Sequence, residues 1–228
     1  MPDSDPLASP NGRQAGPRSH RAASPAPVTV RGRRTRATLI EAARIVFADR
    51  GLLDATIGDI TAEADVSHGT FYTYFDSKRD LFREVVDAVV ADFQTEAHAL
   101  PNPHSDPYAQ VERTNRSYLR AYRRNAKLMG MLEQAAIVDP DLRQIRLTAR
   151  SFWVKRSERR IADWQASGVA TAVVDPYYAA NALGSMVDRC AFLWMVLGEP
   201  YDEDEAVTAL TQLWVNSLGL PGPRNVRP

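Results

Sequence analysis

The amino-acid sequence predicts an all-α fold. Apolar residues recur at the three-and-four spacing of a helix face from Thr35 to Leu218. No stretch of any length alternates with the period of a strand, and capping or breaking residues stand where one periodic run gives way to the next. With 228 residues, 44% of them apolar, the chain can build one large hydrophobic core or two modest ones.

Residues 1 to 30 are rich in Pro, Ser, Ala and Arg and show no hydrophobic period. Burial there cannot offset the entropy of ordering, so a disordered basic tail is expected. Leu39, Ala43, Val46 and Phe47 then form one face of a first helix, which Gly51 stops. Thr56 caps a short second helix; Asp59, three residues on, completes a capping box, and Ile57, Ile60 and Ala64 make the apolar side. A turn through Asp65 and Val66 leads to Ser67, which caps a third helix ending near Tyr74. Asp76 or Ser77 caps a long fourth helix carrying Leu81, Phe82, Val85, Val86, Val89, Val90 and Phe93. Beyond a Leu100 to Pro107 loop that holds three prolines, helices are expected at Tyr108 to Arg124, Ala126 to Ile137, and Leu142 to about Ser167. Two more close the chain, from about Pro176 to Leu197 and about Glu203 to Leu218, and residues 221 to 228 are expected as a short disordered tail.

Composition excludes several classes of function. One cysteine, Cys190, permits no intrachain disulfide, and the four histidines (His20, His68, His98, His104) lack zinc-ligand spacing, so no metal and no cofactor is expected. No G-x-S-x-G, H-E-x-x-H or phosphate-loop glycine pattern is present, which argues against an enzyme. The longest apolar run, Cys190 to Leu197, has eight residues. As a helix it spans roughly 12 Å against a hydrocarbon core of about 30 Å, too short to cross a membrane. The N-terminus has no apolar signal core, and a cytoplasmic location is expected. Formal net charge is zero, which argues against a protein that coats nucleic acid by bulk charge. The distribution is uneven, however: Arg13, Arg18, Arg21, Arg31, Arg33, Arg34 and Arg36 face only Asp3 and Asp5 in residues 1 to 36, so the basic character sits in an N-terminal arm.

The run TIGDITAEADVSHGTFYTYF from Thr56 to Phe75, followed by DSKRDLF, closely resembles the N-terminal signature of the TetR (tetracycline-repressor) family of transcription regulators. The matching positions are Thr56, Ile57, Ile60, Ala64, Val66, Ser67, Gly69, Thr70, Phe71, Tyr72, Phe75, Ser77, Lys78 and Leu81. Asp65 stands where the family commonly has Gly, and Thr61 where it commonly has Ala. Aspartate tolerates a left-handed backbone better than most residues, so the turn can still form. The resemblance implies a three-helix helix-turn-helix domain over residues 31 to 80. It further implies a helical ligand-binding and dimerisation domain over residues 81 to 220.

It also implies partners: a palindromic double-stranded DNA operator, a second copy of the chain, and a small effector. In a helix-turn-helix, the second short helix lays its N-terminal residues along base edges in the major groove. Here that helix runs from Ser67 to Tyr74, with small side chains at its front and Gly69 allowing close approach. His68, Thr70 and Thr73 are the expected base readers. Thr56, Tyr72, Tyr74 and Lys78 are the expected phosphate contacts, while Arg34 with Arg31, Arg33 and Arg36 reaches neighbouring phosphates or the minor groove. Phe71 and Phe75 are assigned to the core of the small domain.

Tyr177 to Leu197 is apolar nearly all round and needs cover on two sides. Val207, Leu210, Trp214 and Leu218, with Ala206 and Leu213 beside them, are expected to form a four-helix dimer seam. Large, adaptable side chains mark a pocket: Met129, Phe152, Trp153, Trp164, Tyr178 and Met186, with Glu133, Asn181 and Arg189 as polar orienters beside Asp188. A small, largely apolar ligand is expected, and the residues leave open an acyl-CoA, a drug-like molecule, a steroid-like molecule or no ligand at all. The overall expectation is a repressor released from its operator by that ligand. The alternatives are an activator and an adaptor that keeps the helix-turn-helix as a packing module.

Overall fold

The computed structural model describes residues 29–98 and 106–222, so the expected tails, apart from residues 29–30 and 221–222, and most of the proline loop lie outside the described residues. Within them the chain forms nine α-helices and no strand. They are α1 (Val30–Asp54), α2 (Ile57–Glu63), α3 (His68–Tyr74), α4 (Lys78–His98), α5 (Pro107–Arg124), α6 (Ala126–Val138), α7 (Pro140–Ala166), α8 (Pro176–Met195) and α9 (Glu203–Leu218).

Helix α1 starts earlier than the apolar pattern predicts. Thr29 Oγ1 accepts from the Gly32 amide at 3.1 Å and caps the helix, so Arg31, Arg33, Arg34 and Arg36 lie in its first two turns rather than in an extended arm. Arginine is a good helix former, and periodicity alone misses a polar first turn. Leu39, Ala42, Ala43, Val46 and Phe47 form the buried face. At Gly51 φ is 78°, a left-handed conformation open to glycine, and the helix kinks there before one last turn that the Ala55 amide closes onto the Gly51 carbonyl.

Both short helices begin on the caps the sequence predicts. Thr56 Oγ1 accepts from the Asp59 amide at 3.1 Å while Asp59 Oδ2 accepts from the Thr56 amide at 3.0 Å. Asp65 takes φ 50°, so the turn between α2 and α3 is made by a non-glycine residue in the left-handed region. Thr61 is buried yet satisfied, because its hydroxyl donates to the carbonyls of Ile57 and Gly58 one turn back. Ile60, Ala64, Phe71 and Phe75 close the small core against α1.

Helix α4, capped by Ser77, is shared by both ends of the molecule. Its first turns pack on α1, where Phe82 meets Phe47 edge-on at 5.3 Å, and its later turns pack on α5 and α7 through Val89 and Phe93. Helices α5 to α9 form the larger bundle, in which α7 packs on α6 and α8 and α5 packs on α9. Gly130 permits the close approach of α6 to the end of α8, since a Cβ there would lie 2.7 Å from Val196 Cγ1.

The expected seam on α9 is corrected. Val207, Leu210, Trp214 and Leu218 are buried within the chain, against α5, and do not form a free stripe. The pattern shows that this face is covered, but a helix stripe carries no label distinguishing an intrachain neighbour from a partner copy. Leu213, half exposed, is the large apolar residue that α9 leaves outside.

Candidate functional site: a DNA-reading face and an apolar cavity

The outer face of the α2–α3 unit collects most of the expected contact residues. Thr56, Ser67, His68, Gly69, Tyr72 and Thr73 are exposed, and Phe71 and Phe75 point inward. The fold therefore presents one polar helix edge on a small apolar core, and the core sets the angle at which α3 projects. The His68 and Tyr72 rings, one turn apart, meet at a tilt of 54° with centroids 5.5 Å apart. The Thr70 hydroxyl shares a hydrogen bond with Ser67 Oγ at 2.9 Å, and Thr73 Oγ1 donates to the Gly69 carbonyl at 3.4 Å, so the Thr73 hydroxyl keeps its acceptor capacity while its donor is engaged locally.

Two expected phosphate contacts sit differently from the rest. Tyr74 is half buried against the core. Lys78 donates its ammonium to the carbonyls of Leu53 at 3.0 Å and Ala55 at 2.5 Å, which ties the start of α4 to the end of α1 and leaves one of its three protons. Arg36 is also tied down, with Glu84 at 2.7 Å and the Phe75 ring 5.1 Å beneath its guanidinium. Arg34 remains exposed on α1. A Cβ added at Gly69 would meet nothing closer than Ser67 Oγ at 3.9 Å, so no packing within the chain requires glycine there.

In the larger bundle, α4 to α9 surround a cavity with two chambers. The inner one, about 70 Å³, is walled by Phe93, Tyr118, Met129, Leu132, Trp153 and Val187. Arg146 and Asp188 bring charge into this apolar wall. Arg146 pairs with Glu133 and, at 2.5 Å, with Asp188, which also accepts from the Tyr118 hydroxyl at 2.5 Å. Burial opposes the charge of Arg146, but Asp188 and Glu133 outweigh it and hold the guanidinium above its ordinary range. Burial and the neighbouring Asp188 carboxylate push the Tyr118 phenol well up, so it stays a neutral donor. The outer chamber, about 410 Å³, shares Thr114, Asn115, Ser157 and Trp214 with the inner one and adds Phe152 and Trp164.

The expected pocket residues divide accordingly. Met129 and Trp153 line the inner chamber, and Phe152 and Trp164 line the outer one. Glu133 stands behind Arg146, and Asn181 is held by Arg150 at 3.2 Å. Tyr178, Met186 and Arg189 are corrected: Tyr178 is 68% exposed, Met186 is half buried away from the cavity, and Arg189 is exposed with its guanidinium over Phe192 at 4.7 Å. Size was the misleading signal, because the cavity-facing line of α8 is mostly small: Ala180, Gly184, Val187 and Asp188. Sequence reasoning missed Tyr118, Arg146, Arg150 and Trp214, although an arginine within a helical stripe that covers a core is itself a sign of a buried charge needing partners.

Polar contacts tie the corners of this bundle to α4 and α1. Asp139, at the α6–α7 corner, pairs with Arg79, and Asp141 pairs with Arg83 at 2.5 Å; both arginines lie in the first two turns of α4. Arg44 on α1 donates to Asn125 Oδ1 at 3.1 Å at the α5–α6 corner.

Comparison with known proteins agrees with this geometry. Residues 39–85 match the family model described as bacterial regulatory proteins, tetR family. Over 207 residues the chain is 21% identical to the HTH-type transcriptional regulator EthR of Mycolicibacterium smegmatis, covering 89% of this chain and 92% of that one. It is 27% identical over 148 residues to the HTH-type transcriptional repressor DhaR of a Mycobacterium species, covering 64% of this chain and 74% of the relative. The fold superposes on a TetR-like transcriptional regulator from Rhodococcus sp. RHA1 with a TM-score of 0.63 at 21% identity, covering 80% of this chain and 94% of that one. A capped helix-turn-helix on a small aromatic core, matched by the family model, identifies residues 39–85 as a DNA-binding domain of the tetR family, and over most of its length the chain is similar to transcription regulators that carry that domain.

Proposed function

We propose that the chain is a homodimeric repressor that grips a palindromic operator and leaves it when a small, largely apolar molecule enters the cavity. One observation carries the reading: α7 both walls the cavity, through Arg146 and Trp153, and at its start holds the first turns of α4 through Asp139 and Asp141. From Asp141 to Arg146 is five residues of helix, roughly 7.5 Å. A displacement of α7 is therefore passed to α4, which begins four residues after α3 ends. Paired recognition helices must match half-sites about 34 Å apart, so a shift of α4 in each copy spoils the match. Repression accords with DhaR, the relative named as a repressor.

At the DNA, His68, Thr70 and Thr73 read base edges and Gly69 lets α3 approach, while Ser67, Thr56, Tyr72, Tyr74, Lys78 and Arg34 position the domain on phosphates. The second copy docks on the outer faces of α8 and α9, where Tyr178, Arg189 and Leu213 are exposed. A substitution that fills the cavity tests the coupling. Gly184 lines the inner chamber, and a Cβ there meets no atom within 4 Å, so Gly184→Leu puts bulk into the chamber without a clash at Cβ. It should weaken operator binding at least fivefold in fluorescence anisotropy with a duplex from the chain's own upstream region, the lower end of typical allosteric coupling. Wild-type affinity in both Gly184→Leu and Gly184→Trp would remove the basis for ligand-driven release.

A further inference from the structure

The two chambers differ in chemistry, and the difference specifies a ligand. The inner chamber is narrow and apolar, with Ala149, Ala180 and Gly184 leaving room for a slim body rather than a fused ring. The outer chamber is ringed by Arg113 of α5 and by Arg156, Arg159 and Arg160 of α7, against the single carboxylate of Asp163. Among the described residues Arg156 and Arg160 have no ion pair or hydrogen bond, and Arg159 uses its Nε on the Lys155 carbonyl at 3.2 Å. Burial, with Arg160 and Arg159 adding repulsion, presses the Arg156 guanidinium below its ordinary range. Like charges three and four residues apart on one helix face destabilise each other unless an anion sits between them. At the boundary stands Trp214, only 7% exposed, which lines both chambers and whose indole Nε1–H is buried without a partner. A buried donor left unpaired has a standing preference for an acceptor.

We propose that the cavity takes an anionic amphiphile: the end of a slim alkyl body in the inner chamber, the rest of that body running past Trp214 into the larger outer chamber, an oxygen within reach of the Trp214 indole N–H, and a phosphate or carboxylate head among Arg156, Arg159 and Arg160. This names the ligand class for the release reading above and rests on that reading only for the consequence at DNA. Guanidinium forks bind both head groups, so the shared chemistry is the anion, and the choice of head is an arm of the experiment.

The test is calorimetric titration of the full chain with dodecyl phosphate, dodecanoate, dodecanol and inorganic phosphate, each alkyl probe below its micellar concentration. At least one anionic alkyl probe should bind tenfold or more tighter than dodecanol, and the tighter of the two identifies the head. In an Arg156→Gln/Arg160→Gln variant that preference should fall to twofold or less while dodecanol affinity stays unchanged, which also shows that the variant is folded. Dodecanol matching both anionic probes would overturn the proposal, as would inorganic phosphate matching dodecyl phosphate or an undiminished preference in the double variant. Tight, arginine-dependent binding that leaves the operator complex intact supports the head-group site and counts against ligand-driven release.

Discussion

Replacing Gly69 with alanine separates what α3 needs in order to fold from what it needs in order to read DNA. Within the chain the added methyl has room, its nearest neighbour being Ser67 Oγ at 3.9 Å, and the backbone there is already helical. Alanine in place of glycine therefore removes an entropic penalty of roughly 0.5 kcal/mol, the low end of the helix-interior range because the site lies in the first turn. For a chain of this size that raises Tm by about 1–2 °C. Against a base edge the same methyl holds the helix off the groove and loses a contact of about 1–3 kcal/mol, a fall in operator affinity of roughly 5- to 150-fold. Thermal melting followed by circular dichroism reads the first effect, and fluorescence anisotropy at fixed salt reads the second. Non-specific duplex, bound through phosphates, should be affected much less. If Gly69→Ala melts higher and still binds the operator with wild-type affinity, α3 does not approach the groove through Gly69 and the recognition surface lies elsewhere on the domain.

Four other outcomes follow from the same geometry. Thr61→Ala should leave stability within about 0.5 kcal/mol of wild type in urea titration, because its hydroxyl serves only carbonyls one turn back. Asp188→Ala should cost about 3 kcal/mol in the same assay, since it strips Arg146 and Tyr118 of a shared partner in a largely buried site. Leu213→Glu should yield monomers in sedimentation while keeping helical content, whereas Trp214→Glu should lower Tm through the core; the reverse result would restore the seam to the buried stripe. Asp59 carries a pH dependence: the Thr56 hydroxyl and amide, then Arg50, hold its carboxyl below the ordinary 3.8, so the folded state binds that proton less readily than the unfolded one. Its contribution is complete above the ordinary value and is lost as pH falls from there through the lowered folded-state value, and Asp59→Asn should flatten the acid limb of the stability profile.

Helix caps and helix lengths were readable from the chain because they depend on neighbours within a turn. Thr56 with Asp59, Ser67 and Ser77 are local hydrogen-bonding solutions, and each stands where its residue type predicts. The first turn of α1 was not readable from apolar spacing, since arginines carry no periodic signal; the Thr29 cap and the Arg36 contacts to Glu84 and Phe75 accompany the earlier start. Tyr178, expected in the pocket, is exposed, and Trp214, expected at a seam, is buried against the cavity, because size predicts burial and not which neighbour does the burying.

The linear chain thus settled the helical class, the capped helix pair and the chemistry available on its outer edge, because periodicity and capping act over three or four residues. Packing in three dimensions decided the rest. It turned the Trp214 stripe inward, put Lys78 on the last carbonyls of α1, and gathered Tyr118, Arg146 and Asp188 from three helices into one wall. It also set the arginines of α7 around an opening that continues into an apolar chamber. Such arrangements depend on which helix faces meet, and faces 70 or more residues apart in the chain, as at Tyr118 and Asp188, share no local signal.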